Sequence, residues 1–205
     1  MTMAQNIQQL KITLFNSKPS IWREILVPAD YTFFALHVTI QDAFGWEDCH
    51  LHQYFTDDPF KRHANYNRIG YPTPEMDDVI DERKTKLSEY LNTPKTTMFY
   101  EYDFGDSWMH EIKLEKTLPR ELKKKYPKIL GGANACPPDD CGGLGGYYDL
   151  LEILKNPQRK EHQDMLEWLG LENADEFKPK AFEINSVSFR NPAKALQEFE
   201  EEAMI

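Results

Sequence analysis

The sequence has no long apolar run and only three cysteines. No window approaches the ~18 consecutive apolar residues of a membrane span, so no membrane association is expected. The first ten residues show no basic start followed by an apolar stretch, which argues against a signal peptide. An odd number of cysteines without an export signal favours reduced thiols over a disulfide framework. We therefore expect a cytoplasmic protein.

Basic residues are scarce relative to acidic ones. Lysine and arginine together number 24 against 34 aspartates and glutamates, and the formal net charge is −10. A chain of this charge is poorly suited to gripping a phosphate backbone. One positive cluster, Arg120 with Lys123 to Lys125, is expected as a basic helical turn within 118–126. A solvated face is the favoured interpretation of this cluster, and a nucleic-acid contact is the alternative.

Hydrophobic residues, by contrast, make up 40% of the chain, and aromatic residues 13%. This content suffices for one sizeable core, and 205 residues fit a single domain over 1–205 better than two domains. Short segments in which apolar and polar residues alternate lie between segments with helical periodicity, and this arrangement predicts an α+β fold. We expect a mainly antiparallel sheet built from hairpins, with helices packed on one face.

Local patterns place the elements of this fold. Strands are expected over 10–14, 21–27, 50–55, 97–104, 108–116 and 182–190, and helices over 84–91, 147–155, 162–169 and after Asn191-Pro192. Another helix is expected to begin at a cap supplied by Asp30 or Thr32 and to end at Gly45. The polar segment 56–81 is long for a loop, which suggests a binding segment or hidden local structure.

Cys49-His50-Leu51-His52 is the first motif with the residue types for chemistry. On a strand, residues two apart share a face, so His50 and His52 would present two imidazoles side by side, an arrangement that suits a metal ion. Two histidines alone are too few ligands. The alternative is a partly buried strand whose histidines hydrogen-bond to the backbone or to carboxylates.

The hairpin around Gly105-Asp106 is the second motif, and its register decides its chemistry. A two-residue turn would set Glu101 opposite His110, a carboxylate–histidine pair suited to general-base catalysis. A loop with an odd number of residues would instead place His110 in or near an aromatic core, with Asp103 and Asp106 at the tip. The second register gives the cleaner alternation of apolar and polar residues. Its apolar face would comprise Tyr100, Tyr102, Phe104, Trp108, His110, Ile112 and Leu114.

A third motif is rich in cysteine, aspartate and glycine. It includes Cys136, Asp139, Asp140, Cys141, Gly142 and Gly143. Its cysteines are separated by four residues, the loose end of zinc-ligand spacing, and they lack a second pair. The glycine run could cradle an anion, but the Lys-Ser/Thr of a nucleotide loop does not follow. A rigid, proline-stiffened lid or connector whose thiols only pack is the favoured interpretation.

The three motifs and Trp168-Leu169-Gly170 together resemble the plasmid pRiA4b ORF-3-like family. They occur in the family's order within 7–189, with Trp46 and Trp108 among the motif residues and 190–205 as an acidic C-terminal helix. Asp139 stands where glutamate is common and Leu144 where proline is common. The resemblance implies a single α+β domain in prokaryotic proteins, some of them carried by mobile elements. It implies no particular activity.

Three functional hypotheses follow. The leading one is a non-enzymatic binding or adaptor module whose hairpins and polar segment 56–81 contact a protein partner. The alternative is a metal-dependent hydrolase that would need a divalent metal as cofactor. Its metal ligands would be His50, His52 and His110, with Asp103 or Asp106 as a fourth ligand or base. A third hypothesis, a DNA-associated accessory factor of a mobile element, depends on the basic cluster and is disfavoured by the net charge.

Overall fold

Eight strands and five α-helices form the fold, in a computed structural model that describes residues 6–74 and 76–202. The strands are β1 (Asn6–Leu14), β2 (Trp22–Pro28), β3 (His52–Phe55), β4 (Arg68–Gly70), β5 (Ile80–Asp81), β6 (Thr97–Tyr102), β7 (Trp108–Pro119) and β8 (Lys128–Ala133). The helices are α1 (Phe33–Phe44), α2 (Leu87–Tyr90), α3 (Gly143–Lys155), α4 (His162–Trp168) and α5 (Pro192–Glu202).

All eight strands belong to one sheet, in the order β5-β4-β3-β6-β7-β1-β2-β8. Every neighbouring pair is antiparallel except β4 and β5, which run parallel. The expected α+β class with a mainly antiparallel sheet is confirmed. Within the described part of the chain, no helix is long and apolar enough to cross a membrane.

Helix α1 forms where its cap chemistry predicts it. Of the two expected caps, Thr32 is the one used, and its hydroxyl accepts the backbone N–H of Ala35. Gly45 ends the helix in the left-handed conformation at φ 88°, which costs glycine little because it has no Cβ. Four large apolar side chains of α1 are buried in the main core: Phe33, Leu36, Ile40 and Phe44.

The main core lies between the sheet and α1. It is filled from the sheet by Leu10, Ile12, Leu14, Ile25, Val27, Tyr54, Ile69, Met98, Tyr100, Tyr102, Trp108, Ile112 and Leu114. Tyr147 of α3 joins the same core, and α4 packs on α3 through Leu166. Helix α5 forms an outer layer on α1, where the rings of Phe34 and Phe199 are 5.9 Å apart. The opposite sheet face carries a separate small cluster of Phe55, Phe99 and Met109.

Three local expectations, for 182–190, 118–126 and the start of β3, need correction. Segment 182–190 is not a strand; it contains a 3₁₀ turn at Ile184–Ser186 and covers the core, with the Phe182 ring 4.1 Å from the guanidinium carbon of Arg23. Segment 118–126 is not helical, because β7 continues to Pro119 and is followed by turns. Strand β3 begins at His52, so His50 lies outside it. By contrast, the short strands β4 and β5 in segment 56–81 are the hidden local structure that was one of the two expectations for it.

Candidate functional site

Three loops that carry the sequence motifs meet at one place, which we call the loop junction. They are 45–51 between α1 and β3, 103–107 between β6 and β7, and 136–142 before α3. The indole N–H of Trp46 donates to the carbonyl of Pro137 at 3.0 Å. The backbone N–H of Glu47 donates to Asp139 Oδ2 at 3.1 Å. Each of these bonds joins residues about ninety positions apart, so the loops are held together by tertiary structure.

The glycine-rich part of the third loop is fixed by the hairpin tip. Asp106 Oδ2 accepts the backbone N–H of Gly142 at 3.0 Å. A Cβ at Gly143 would stand 2.5 Å from the carbonyl oxygen of Asp106, and a Cβ at Gly146 would stand 1.8 Å from that of Cys141. The glycines are therefore required by close backbone approach. Asp106 is occupied with holding this loop.

Asp103 and Asp140 both adopt left-handed backbone conformations, each at φ 57°. Aspartate tolerates this region better than most residues, but it is held there only where the surroundings determine it. For Asp103 these surroundings include a bond from its N–H to the carbonyl of Leu51 and a bond from the Gly105 N–H to its Oδ1. The other carboxylate oxygen of Asp103, Oδ2, faces His50.

The His50 ring meets two carboxylates at the loop junction. Its Nε2 lies 3.3 Å from Asp140 Oδ1 and 3.9 Å from Asp103 Oδ2. Nε2 is buried and makes no bond of hydrogen-bond geometry. One ligand atom from each of the three residues lies within 4.8 Å of the other two, and within 6–74 and 76–202 this is the one group spaced to hold a metal ion. We call it the His/Asp cluster.

A further acidic residue, Asp139, lies beside the His/Asp cluster. Its Oδ1 is buried without a hydrogen-bond partner. Burial raises the pKa of Asp139, and the nearby charges of Glu47 and Asp140 act in the same direction, while the Glu47 backbone N–H and His50 oppose them. The junction thus concentrates negative charge that a cation would offset.

The hairpin register places His110 in the core. Tyr102 pairs with Trp108 and Tyr100 with His110, so the loop has five residues and the expected odd-length register is the observed one. The two-residue turn is wrong, since Glu101 faces Met109 across the strands. The expected apolar face is present except for Phe104, which lies in the loop and is 40% exposed.

His110 itself is fully buried, and the polar groups that act on its ring are the backbone groups of Tyr100 and Trp108. Its ring packs edge-on against Phe44 at 4.9 Å and Trp46 at 5.0 Å. Neither ring nitrogen makes a bond of hydrogen-bond geometry. Burial lowers the pKa of His110 to about 3, so the ring is neutral near pH 7.

His52 belongs to a second buried network. Its Nε2 lies 2.8 Å from a carboxylate oxygen of Glu82, and its ring stacks on His37 at 3.4 Å. His37 contacts Asp48 through Nε2 at 2.6 Å and the Tyr100 hydroxyl through Nδ1 at 2.8 Å. Burial and the neighbouring His52 ring lower the pKa of His37, against the opposing effect of Asp48.

These positions correct the ligand set of the sequence analysis. The structure does not bring His50, His52 and His110 together; it joins His50 to Asp103 and Asp140 instead. His37 and Glu82 lie outside the three sequence motifs, and their roles in this network were not predicted. One sequence signal does point to His37: it is a polar residue at an apolar position of an amphipathic helix. A polar side chain buried at such a position requires a hydrogen-bond partner.

The cysteines do not join the His/Asp cluster. Cys136 and Cys141 pack, partly buried, against the main core, while Cys49 is exposed. Burial raises the pKa of Cys141 to about 12 and that of Cys136 well above its ordinary value. Both buried thiols are therefore protonated near pH 7, which does not favour their ligation of a metal.

The remaining motif residues are structural neighbours of the junction. Trp108 is fully buried, and its ring lies 5.7 Å from that of Trp46.

The basic cluster follows β7 in the turn before β8, where the Arg120 guanidinium carbon lies 5.6 Å from the centre of the Tyr126 ring. A DNA contact through this cluster stays a prediction.

The fold and the site define a class: an α+β domain in which a helix-covered antiparallel sheet supports a His/Asp cluster at the meeting point of three motif loops. The chain belongs to the plasmid pRiA4b ORF-3-like protein family, whose model matches residues 6–186. It is similar to a Sinorhizobium fredii protein named "Uncharacterized protein y4hQ", with 33% identity over 177 residues, covering 84% of this chain and 86% of the relative.

A solved structure also resembles this fold. It is described as "Crystal Structure of Protein of Unknown Function MM3350 from Methanosarcina mazei Go1". The similarity has a TM-score of 0.78 and 38% sequence identity, and it covers 90% of this chain and 99% of that one. The overall fold is thus shared with that Methanosarcina mazei protein.

Proposed function

We propose that this protein is a binding module that takes up a divalent cation at the loop junction, with His50, Asp103 and Asp140 as ligands. The observation that carries the proposal is the convergence of three ligand atoms, from three separate loops, within 4.8 Å of one another. One imidazole and two carboxylates suit borderline first-row ions such as Zn²⁺ and Mn²⁺.

The distances agree with a shared ion. Two ligand atoms at about 2.1 Å from one ion stand about 3.4 Å apart in tetrahedral geometry. The His50–Asp140 distance is 3.3 Å, and the His50–Asp103 distance of 3.9 Å needs only a small side-chain adjustment. An ion would also give a partner to the buried Nε2 of His50, which otherwise makes no hydrogen bond.

The proposed role of the ion is to fix the surface of the loop junction for a protein partner. It would join loops that are otherwise linked by a few hydrogen bonds, such as that from Trp46 to Pro137. Two large apolar side chains near the junction are exposed, Leu51 at 53% and Trp168 at 46%. Exposed apolar side chains of this size are typical of interaction surfaces.

Metal titration tests the proposal. Protein stripped with a chelator is titrated with Zn²⁺ and with Mn²⁺ in a calorimeter, and we expect one ion per chain. Asp140→Asn and His50→Gln should each weaken binding by at least about tenfold, because the first removes the negative charge of a ligand and the second removes the imidazole. Asn also tolerates the left-handed backbone at position 140.

Asp164→Asn on α4 is the matched control, since it makes the same change of charge away from the cluster. It should bind like the unmodified protein. Stoichiometric binding that survives both ligand substitutions would place the ion elsewhere, and the absence of binding would refute the proposal.

A second candidate function is metal-dependent hydrolysis. The Asp140 side chain is 67% exposed, so an ion held here would keep solvent-facing positions for a water molecule, as catalytic zinc sites do. Hydrolysis of p-nitrophenyl phosphate and p-nitrophenyl acetate by the metal-loaded protein is the test. Turnover that disappears in Asp103→Asn would support an enzyme; metal binding without turnover would favour the binding module.

A further inference from the structure

A largely apolar cavity of about 390 Å³ lies between α3 and the turn that joins β1 to β2. Its size is within the range of small-molecule sites, about 300–1,000 Å³. None of its lining residues belongs to the His/Asp cluster. It is therefore a separate feature of the molecule, independent of the function proposed above.

Flat side chains form much of the wall of this cavity. Tyr147 and Tyr148 come from α3, where their rings are 5.8 Å apart. Pro19 and Pro179 line the cavity from two other segments, with Ile21 and Leu151 among the remaining apolar residues. Rings of tyrosine and proline offer faces on which a planar apolar group packs well.

The polar groups of the wall are already engaged. The Tyr148 hydroxyl accepts the backbone N–H of Lys18 at 2.7 Å. The Asn134 amide donates to the carbonyl of Ser20 at 2.8 Å. These bonds connect the walls and leave mainly apolar surface facing the interior. Entry of an apolar group into the cavity is therefore favourable, because it removes apolar surface from water.

Three lysines border the cavity, although the protein as a whole carries a net charge of −10. Lys155 pairs with Glu152 at 2.7 Å. Lys18 and Lys180 are exposed and have no carboxylate partner among residues 6–74 and 76–202. Lys18 and Lys180 thus add two positive charges without a carboxylate partner among the described residues to the lining of a largely apolar cavity.

We propose that this cavity binds a small aromatic monoanion, with the ring system between the tyrosine and proline side chains and the anionic group at Lys18 and Lys180. Charge and shape both carry the assignment. An anionic group is attracted by the two ammonium groups, which a neutral ligand is not, and a compact polar anion would leave the apolar walls unfilled.

The probe is naphthalene-2-sulfonate, and the matched neutral probe is naphthalene-2-sulfonamide. Titration calorimetry on the full chain should show saturable binding of the sulfonate and weaker binding of the sulfonamide. Lys18→Gln/Lys180→Gln should weaken sulfonate binding roughly fivefold and leave sulfonamide binding nearly unchanged, because each exposed ion pair contributes little by itself.

Lys116→Gln/Lys128→Gln is the control, since it removes the same charge from exposed strand positions that do not line the cavity. It should bind the sulfonate like the unmodified protein. Leu151→Trp, which fills the cavity from a half-buried position, should abolish binding of both probes, and its thermal unfolding midpoint would show that it is folded. No saturable sulfonate binding, equal binding of the two probes, or undiminished binding in folded Leu151→Trp would each overturn the proposal.

Discussion

Burial of His110 predicts a specific pH dependence of stability. The pKa of this ring falls from an ordinary 6.5 to about 3 in the folded protein because of burial. Between these values the unfolded chain binds a proton at this position and the folded chain does not. The free energy of unfolding is therefore unaffected by protonation of this ring above pH 6.5. It decreases progressively as the pH falls toward 3.

The size of this effect follows from the two pKa values. Over the whole interval their difference corresponds to about 5 kcal/mol of free energy of unfolding. At pH 5, where only part of the interval has been crossed, the loss is about 2 kcal/mol. His110→Leu should remove this loss. At pH 7 the variant should be at least as stable as the unmodified protein, because an apolar side chain replaces two buried nitrogens that make no bond of hydrogen-bond geometry.

Urea unfolding at pH 7 and pH 5 measures the effect. Between pH 7 and pH 5 the free energy of unfolding should decrease by about 2 kcal/mol more in the unmodified protein than in His110→Leu. The buried His37, whose pKa is also lowered, is present in both proteins and cancels in this comparison. His63→Gln, at an exposed position, should behave like the unmodified protein. The same pH dependence in all three would refute the reasoning.

Other substitutions test the packing of the loop junction and the open sheet face. Gly143→Ala places a Cβ 2.5 Å from a carbonyl oxygen at a φ of +66°, so it should cost about 2 kcal/mol in urea unfolding; Gly145→Ala, with open space at its Cβ, should change stability little. Trp46→Phe removes the bond to Pro137, and we expect a loss of about 1 kcal/mol and faster limited proteolysis within 134–142. Phe60→Ala should lower the thermal midpoint only slightly, since this side chain is 60% exposed.

The sequence predicts the elements whose formation depends on local chemistry. A threonine that accepts an N–H three residues on and a glycine that adopts the left-handed conformation fix the ends of α1. The register of β6 and β7 was predictable because only one alternative keeps the aromatic residues on a single face. In both cases the decisive residues lie close together in sequence.

The His/Asp cluster could not be predicted in the same way. The residue pattern of 50–55 predicts a strand through His50. In the structure, the Leu51 carbonyl accepts the Asp103 N–H, and pairing with β6 begins only at His52. Asp140 is ninety positions from His50, and no local pattern links residues so far apart. Glu82 is 30 positions from His52, and no local pattern identifies it as the partner of that histidine.

The glycines of the third motif contribute to the cluster without touching it. Because Gly143 lets the backbone approach the hairpin tip, the loop is held with Asp140 3.3 Å from His50. The proposed cation site thus depends on two separable features, a set of ligand atoms and a loop position. Asp140→Asn should weaken cation binding with little effect on stability, whereas Gly143→Ala should reduce both. If Gly143→Ala lowered stability but bound the ion with unchanged affinity, the loop position would not be part of the site.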